Sequence, residues 1–367
     1  MAEPVIGADH VGLAFRATAP VRVADVGGWT DTWFGSPGRV CHLAVGPGVV
    51  ATATVRAAAP DEPGRVRLLA ADVGLDLAVD PSAAPTPGPG ALLAHAVAAG
   101  LEGAGLAEGV QVDVEVRSGV PAGASLGTSA TVLVALVGVL DGLVAVVARR
   151  PPLDPSVLAR LAHEVETVRA GREAGVQDQW AAALGGAGVL AIGPYPEVRH
   201  RPIEVPPRAS VELGERLVTV VFGPHDSSAV HRQVIDALVT CSGVEHHHAR
   251  EALKALSRLA GDAADALGDG DLDRWGEVLR RSVEAQAALH PDLVGAPHRR
   301  AIEVARSHGA AGWKVNGAGG DGGSLTVLAD AAAGAADALA DALGAADPTW
   351  AVLRLRPAPG LAVAHLV

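Results

Sequence analysis

The sequence predicts an α+β fold in two domains, on three observations. The chain has 367 residues, enough for two hydrophobic cores. Strand and helix signals both run through it. Val110, Val112, Val114 and Val116 alternate with polar residues, the period of a half-buried strand, whereas residues 131–147 are apolar and almost uncharged over a length that suits a buried helix. The proline-rich residues 194–207 mark a boundary, giving domains of 1–205 and 206–367.

Composition narrows the function. Apolar residues make up 49% of the chain and charged ones 19%, a globular balance. The net charge of −12 argues against a nucleic-acid partner, which favours a basic face. Cys41 and Cys241 cannot build a disulfide framework, so a cytoplasmic location is expected. Residues 1–10 lack the basic and apolar regions of a secretory signal. Residues 131–147 include Asp141 and read as a core helix, so no membrane partner is expected. Lys254 and Lys314 are the only lysines and neither follows a glycine, which excludes the G-x-x-x-x-G-K-[ST] phosphate loop. No H-R-D segment exists, which excludes a protein-kinase layout.

In chain order, residues 20–26 read as a strand broken by Gly27-Gly28, after which come Trp29, Thr30 and Asp31. A strand end carrying a carboxylate and tryptophans (Trp29, Trp33) around two glycines suits a polyhydroxyl ligand; it is equally a plain turn over a buried Trp. Strands follow at 40–54 and, as a hairpin, at 66–79, then a Pro/Gly/Ala linker at 81–90 and a helix at 91–103. Asp154-Pro155 is a helix start, with Asp as N-cap and Pro at the first helical position. Leu158, Leu161, Val165 and Val168 give that helix an apolar stripe, and Glu166 lies beside it. Gln177 and Asp178 open a small-residue helix, and a strand is expected at 189–192. The second half reads as a strand at 217–222, a polar turn at 223–228, helices at 245–268, 271–289 and 301–308, a Gly-rich turn into a strand at 312–328, a helix at 331–344 and closing strands at 351–355 and 361–367. The run His246-His247-His248 is a weak metal candidate, because adjacent histidines diverge on a helix.

The chain is organised around V-P-A-G-A-S-L-G-T-S-A at 120–130, which joins the alternating run to the long apolar run. A Gly-rich turn entering a helix presents unpaired N–H groups and the positive end of the helix dipole, a ready site for phosphate. Thr128 and Ser129 add hydroxyls suited to phosphate or magnesium. The same residues would also make an ordinary capped turn.

Three segments together resemble the GHMP kinases. Pro121 to Ala130 resembles the family motif P-x-x-x-G-L-x-S-S-A, with Ser125 in place of a Gly and Thr128 in place of the first Ser. The run from Ala19-Pro20 to Gly28, Trp29, Thr30 and Asp31 resembles the first motif, and Lys314 to Gly323 the third, interrupted by Asp321. V-R-V-A-D-V-G-G-W-T-D-T is similar to the fucokinase form, and Q-D-Q-W-A-A-A-L-G-G to that of D-glycero-D-manno-heptose 7-phosphate kinases. The resemblance implies an N-terminal domain like the second domain of ribosomal protein S5 and a ferredoxin-like C-terminal domain, with ATP and a sugar or sugar-phosphate substrate in the cleft. It implies that Pro121, Gly123, Ala124, Ser125, Leu126, Gly127, Thr128 and Ser129 wrap the ATP phosphates, and that Ser129 and Glu166 hold magnesium. By the same resemblance Asp178 would be base or orienter, Arg22 would stabilise the transferring phosphoryl group, and Gly28, Trp29, Thr30, Asp31, Gln177, Gly319 and Gly320 would face the substrate. A phosphorylated substrate would need basic groups, for which His225, Ser227, Ser228, His231 and Arg232 are the candidates. Alternatives are a non-sugar acceptor, a non-catalytic ligand-binding regulator and a serine hydrolase, the last because Gly123 to Gly127 matches G-x-S-x-G.

Overall fold

A computed structural model describes residues 3–59, 65–223, 228–240 and 242–366, with only the backbone at 228 and 229. Cys241, His225, Ser227 and most of the turn expected at 223–228 lie outside the described residues.

The first layer is a nine-stranded sheet. Its axis is two long antiparallel strands, Ala14–Val26 and Gly38–Ala57. Val110–Ser118 pairs antiparallel with the second of these and parallel with Val66–Ala70, whose hairpin partner is Leu75–Val79. A further hairpin, Ala187–Ile192 with Val198–Ile203, attaches to the other end of Gly38–Ala57. The second sheet has four strands in the order Gly312–Val315, Gly323–Leu328, Leu217–Gly223, Ala351–Leu353, all antiparallel.

Alternation sets which residues share a face, and a register shift between Ala19 and Val21 separates the parts of the two long strands that face opposite cores. Ala17, Ala51 and Val114 turn to one face of the first sheet, where the helix Thr128–Val147 supplies Leu133, Leu136 and Leu140. Val21, Val23 and Leu43 turn to the other face. There they join Leu256, Ala260 and Leu267 of the helix Val244–Asp269 and Leu279 of Leu272–Leu289 in one shared core. A third core lies between the second sheet and the helices Ala296–Ser307 and Ala335–Ala346. Thr128–Val147 is long and apolar enough to cross a membrane, but most of it is buried inside this fold.

Several elements depart from expectation. Residues 356–366, assigned by sequence to the second domain, return to the first sheet. Arg356–Pro357 pairs with Gly38–Ala57, and Ala362–Leu366 with Ala14–Val26. A short alternating strand does not encode its partner, which is a non-local choice. Asp154 does cap its helix, accepting from the Ser156 N–H at 2.8 Å. The expected stripe fails at Val168, which is 74% exposed. The α-helix Pro155–Glu164 widens there into a π turn, Val165–Arg169, which carries Val168 off the buried face, while Glu166 continues the buried face of Ala159, Ala162 and His163.

Leu140 is fully buried against Gly100, where a Cβ would meet it at 2.8 Å. Leu140→Ala is expected to lower unfolding free energy by about 2–5 kcal/mol, measured by denaturant titration.

Candidate active site

The site is built on Arg22. Its neighbours Val21 and Val23 turn into the shared core, so Arg22 turns to the opposite face, where it is 3% exposed. Its Nε donates to Asp178 Oδ1 at 2.8 Å and its Nη1 to the Ser125 carbonyl at 2.5 Å, with Asp25 Oδ1 3.6 Å from Nη1. Burial by itself would lower the pKa of Arg22; Asp178, Asp25 and Asp31 more than offset this and hold it above its ordinary value. Burial likewise raises Asp25, but Arg22, Lys314 and the Gly317 N–H at 3.1 Å bring it below the ordinary carboxylate value. Asp178 stands in the first turn of the helix Gln177–Leu184. It reaches the loop because residue 127 is Gly, where a Cβ would sit 3.0 Å from Asp178 Cγ.

The loop at 121–129 takes left-handed backbone angles at Gly123, Ser125 and Gly127 (φ +74°, +55° and +73°). Ser125 therefore occupies a conformation that costs a non-glycine residue roughly 1–2 kcal/mol. Protein donors hold three consecutive carbonyls of this loop. Ser324 Oγ donates to Ala124 at 2.5 Å, Arg22 Nη1 to Ser125, and the Arg22 N–H to Leu126 at 3.0 Å. With those carbonyls turned inward, the loop and the start of Thr128–Val147 offer N–H groups to an anion.

Two cavities flank the loop. One, of about 210 Å³, is lined by Arg22, Asp31, Ser129, Glu166, Gln177 and Asp178, and also by Trp29, Glu173, His231 and Gly317. The other, of about 730 Å³, is mostly apolar and includes Leu93, Val116, Pro121, Gly123, Thr128 and Val132. Ser129 lines both. In the smaller cavity burial pushes Glu166 up to about 7, aided by Asp178 and opposed by the hydrogen bond from Gln179 Nε2 at 2.7 Å. Burial pushes Asp31 up to about 6 despite the Gln177 N–H at 3.1 Å. Gly175 leaves room for that carboxylate, since a Cβ there would lie 2.0 Å from Asp31 Oδ2.

The structure thus brings Arg22, Trp29, Asp31, Ser129, Glu166, Gln177 and Asp178 to one cavity. Others fall elsewhere. Ala124 and Leu126 contribute backbone, their side chains being buried in the core. Thr30 is buried and spends its hydroxyl on the Gly27 and Arg39 carbonyls, and Gly28 packs on Asp25 and Gln177. Gly319 and Gly320 pack on the Leu293 turn, where a Cβ at 319 would sit 2.0 Å from the Leu293 oxygen. Gly317 and Ala318 line the cavity in their place. Of the basic candidates, His231 lines the cavity, and Arg232 is exposed and is not among the lining residues. Sequence reading missed Asp25, Glu173, Gln179 and Gln286. Asp25 lies three residues from Arg22, but nothing in the strand pattern says that its carboxylate is buried. Gln286 comes from the distant helix Leu272–Leu289 and binds Lys314 Nζ at 3.0 Å.

Residues 91–186 match the GHMP kinases N terminal domain. The chain carries a GHMP kinase N-terminal domain. The matched stretch holds the phosphate-type loop, Glu166 and Asp178. The chain is 28% identical to a mevalonate kinase of Pyrococcus horikoshii over 60% of each chain. It is 26% identical to a bifunctional fucokinase/GDP-fucose pyrophosphorylase of Arabidopsis thaliana over 86% of this chain and 30% of that one. It is also 26% identical to a D-glycero-alpha-D-manno-heptose 7-phosphate kinase of Campylobacter jejuni, over 56% of this chain and 58% of that one. The chain therefore spans less than two thirds of the length of these relatives. Its fold is that of a D-glycero-D-manno-heptose 1-phosphate kinase from Bacteroides thetaiotaomicron, at TM-score 0.70 and 21% identity over 96% of this chain and 99% of that one. The two-domain GHMP kinase fold expected from the motifs is the fold observed.

Arg22→Ala leaves Asp25 buried without its main partner and is expected to cost about 3–5 kcal/mol by denaturant titration. Glu166 predicts a pH signature. Its folded pKa of about 7 lies above its ordinary value of 4.5. Between those values the folded state keeps a proton that the unfolded chain releases, so stability falls as pH rises through that window. In metal-free protein, thermal midpoints of Glu166→Gln are expected to fall less over the window than those of wild type.

Proposed function

We propose that this protein is an ATP-dependent kinase that transfers the γ-phosphoryl group to a hydroxyl of a sugar or sugar phosphate, of the fucose or heptose 7-phosphate kind, in the cytoplasm. The observation that carries this reading is the Arg22–Asp178 pair in a small polar cavity. That cavity shares Ser129 with a larger, mostly apolar cavity across a Gly-rich loop. The larger cavity has the volume and apolar lining for a nucleotide base. The loop and the helix start behind it face where the phosphates would lie.

Phosphoryl transfer depends on positioning and charge stabilisation more than on covalent chemistry. Asp178 lines the smaller cavity against Gly127 of the loop, where it would orient the acceptor hydroxyl and take its proton. Arg22 is held charged beside it and would stabilise charge on the transferring group. Ser129 and Glu166 fit a magnesium ion. Glu166 is a buried carboxylate whose one side-chain donor among the described residues is the neutral amide of Gln179, and magnesium takes few protein oxygens, keeping water and phosphate for the rest. Bound there, the ion would screen the phosphate charge. Asp31 and Gln177 would bind acceptor hydroxyls. Ser125 is not placed as a hydrolase elbow. Such a nucleophile sits at a strand end, but here the strand ends at Ser118 and Pro121 intervenes before Ser125.

Two measurements check the roles. Asp178→Asn is expected to retain ATP binding by calorimetry while kcat falls about 10²–10⁴-fold; full turnover would remove Asp178 from its role. Magnesium is expected to raise the thermal midpoint of wild type at neutral pH and to leave that of Glu166→Gln unmoved.

A further inference from the structure

We propose that the acceptor is an uncharged polyhydroxyl molecule and that the cavity discriminates against phosphorylated or carboxylated acceptors. The inference rests on the phosphotransferase reading above and narrows it.

The charges on the cavity wall favour a neutral acceptor. Among the described residues that line it, Arg22 is the one permanent cation, and Asp178 and Asp25 already neutralise it. Against it stand four carboxylates, Asp31, Glu166, Glu173 and Asp178. Assigning Glu166 to magnesium leaves Asp31 and Glu173 on the acceptor side, where, among the described lining residues, the one cation is Arg22, already shared with Asp25 and Asp178. Asp31 and Glu173 accept from neutral donors, the Gln177 N–H at 3.1 Å and Trp33 Nε1 at 2.6 Å. His231 is held below its ordinary pKa by burial, with Glu173 opposing.

The neutral groups point the same way. Among the described residues, Trp29 Nε1, Gln177 Oε1 and His231 Nε2 are buried and have no hydrogen-bond partner. All three residues line the cavity, and the Trp29 and His231 rings lie 5.1 Å apart. An indole N–H needs an acceptor and an amide oxygen needs a donor. A hydroxyl serves both, and the ring faces suit the C–H side of a sugar. A phosphate dianion serves only donors and would meet the buried Asp31 and the exposed Glu173, a like-charge contact.

The test uses the full chain with magnesium and ATP on matched pairs: L-fucose, galactose and free heptose, each against its phosphate monoester. Transfer is read by phosphorus NMR, and acceptor binding by calorimetry with a non-hydrolysable ATP analogue. The free sugar of the productive pair is expected to exceed its ester in kcat/KM by at least about tenfold. Glu173→Lys is expected to shift that ratio toward the ester while ATP affinity stays within about twofold. An ester used as well as, or better than, its free sugar overturns the inference. Failure of the kinase reading looks different: ATP binds but no acceptor is phosphorylated. Binding then decides the inference: free sugars that bind where esters do not support it, and esters that bind equally well, or free sugars that fail to bind, overturn it.

Discussion

A buried guanidinium holds this structure together. Arg22 sits on a central strand and simultaneously reaches the helix that carries Asp178, the carbonyl of Ser125 in the Gly-rich loop, and Asp25 on its own strand. A buried charge is tolerated only when it is surrounded by counter-charge and acceptors, so these partners are tied in place. Asp25 then extends the network to the other half of the chain. It accepts from the Gly317 N–H, while Asn316 Oδ1 accepts from the Ala24 N–H at 3.0 Å. The second sheet is thus registered against the first by hydrogen bonds to the strand that presents Arg22.

Close approach is the second constraint. Gly127 lets Asp178 meet the loop, Gly175 admits the Asp31 carboxylate, and Gly317 lies where a Cβ would sit 3.2 Å from Arg22 Nη2. Three parts of the chain far apart in sequence come together at these glycines, and side chains there would keep them apart. Ser125 is the exception, a left-handed residue with a Cβ. Strain of that kind persists where surrounding structure over-determines the backbone, as Arg22 and Ser324 do here by holding the carbonyls on either side.

Much of the site was legible beforehand, because phosphate loops and strand-end motifs are local. Arg22, Asp31, Ser129, Glu166, Gln177 and Asp178 were all readable as candidates, and the structure brings them to one cavity. The glycines of the third segment were harder to read. Six glycines between 312 and 323 signal close approach without saying to what, and two of those assigned to the substrate instead pack on the Leu293 turn. Glu166 was readable as lying beside an apolar stripe, but that a polar cavity lies against its carboxylate is decided by the packing of distant segments.

By itself the sequence determined most of the elements, though not the strand Val198–Ile203 or the helix Pro207–Arg216, together with the loop chemistry and the order of the three segments, since period, glycine placement and helix starts are properties of neighbouring residues. The tertiary structure decided which sheet the closing strands join, that Asp25 and Asn316 lock the two halves, and what charge surrounds the acceptor. Those outcomes depend on residues hundreds of positions apart being buried together. Burial, which sets both pairing and pKa, is a property of the packed whole.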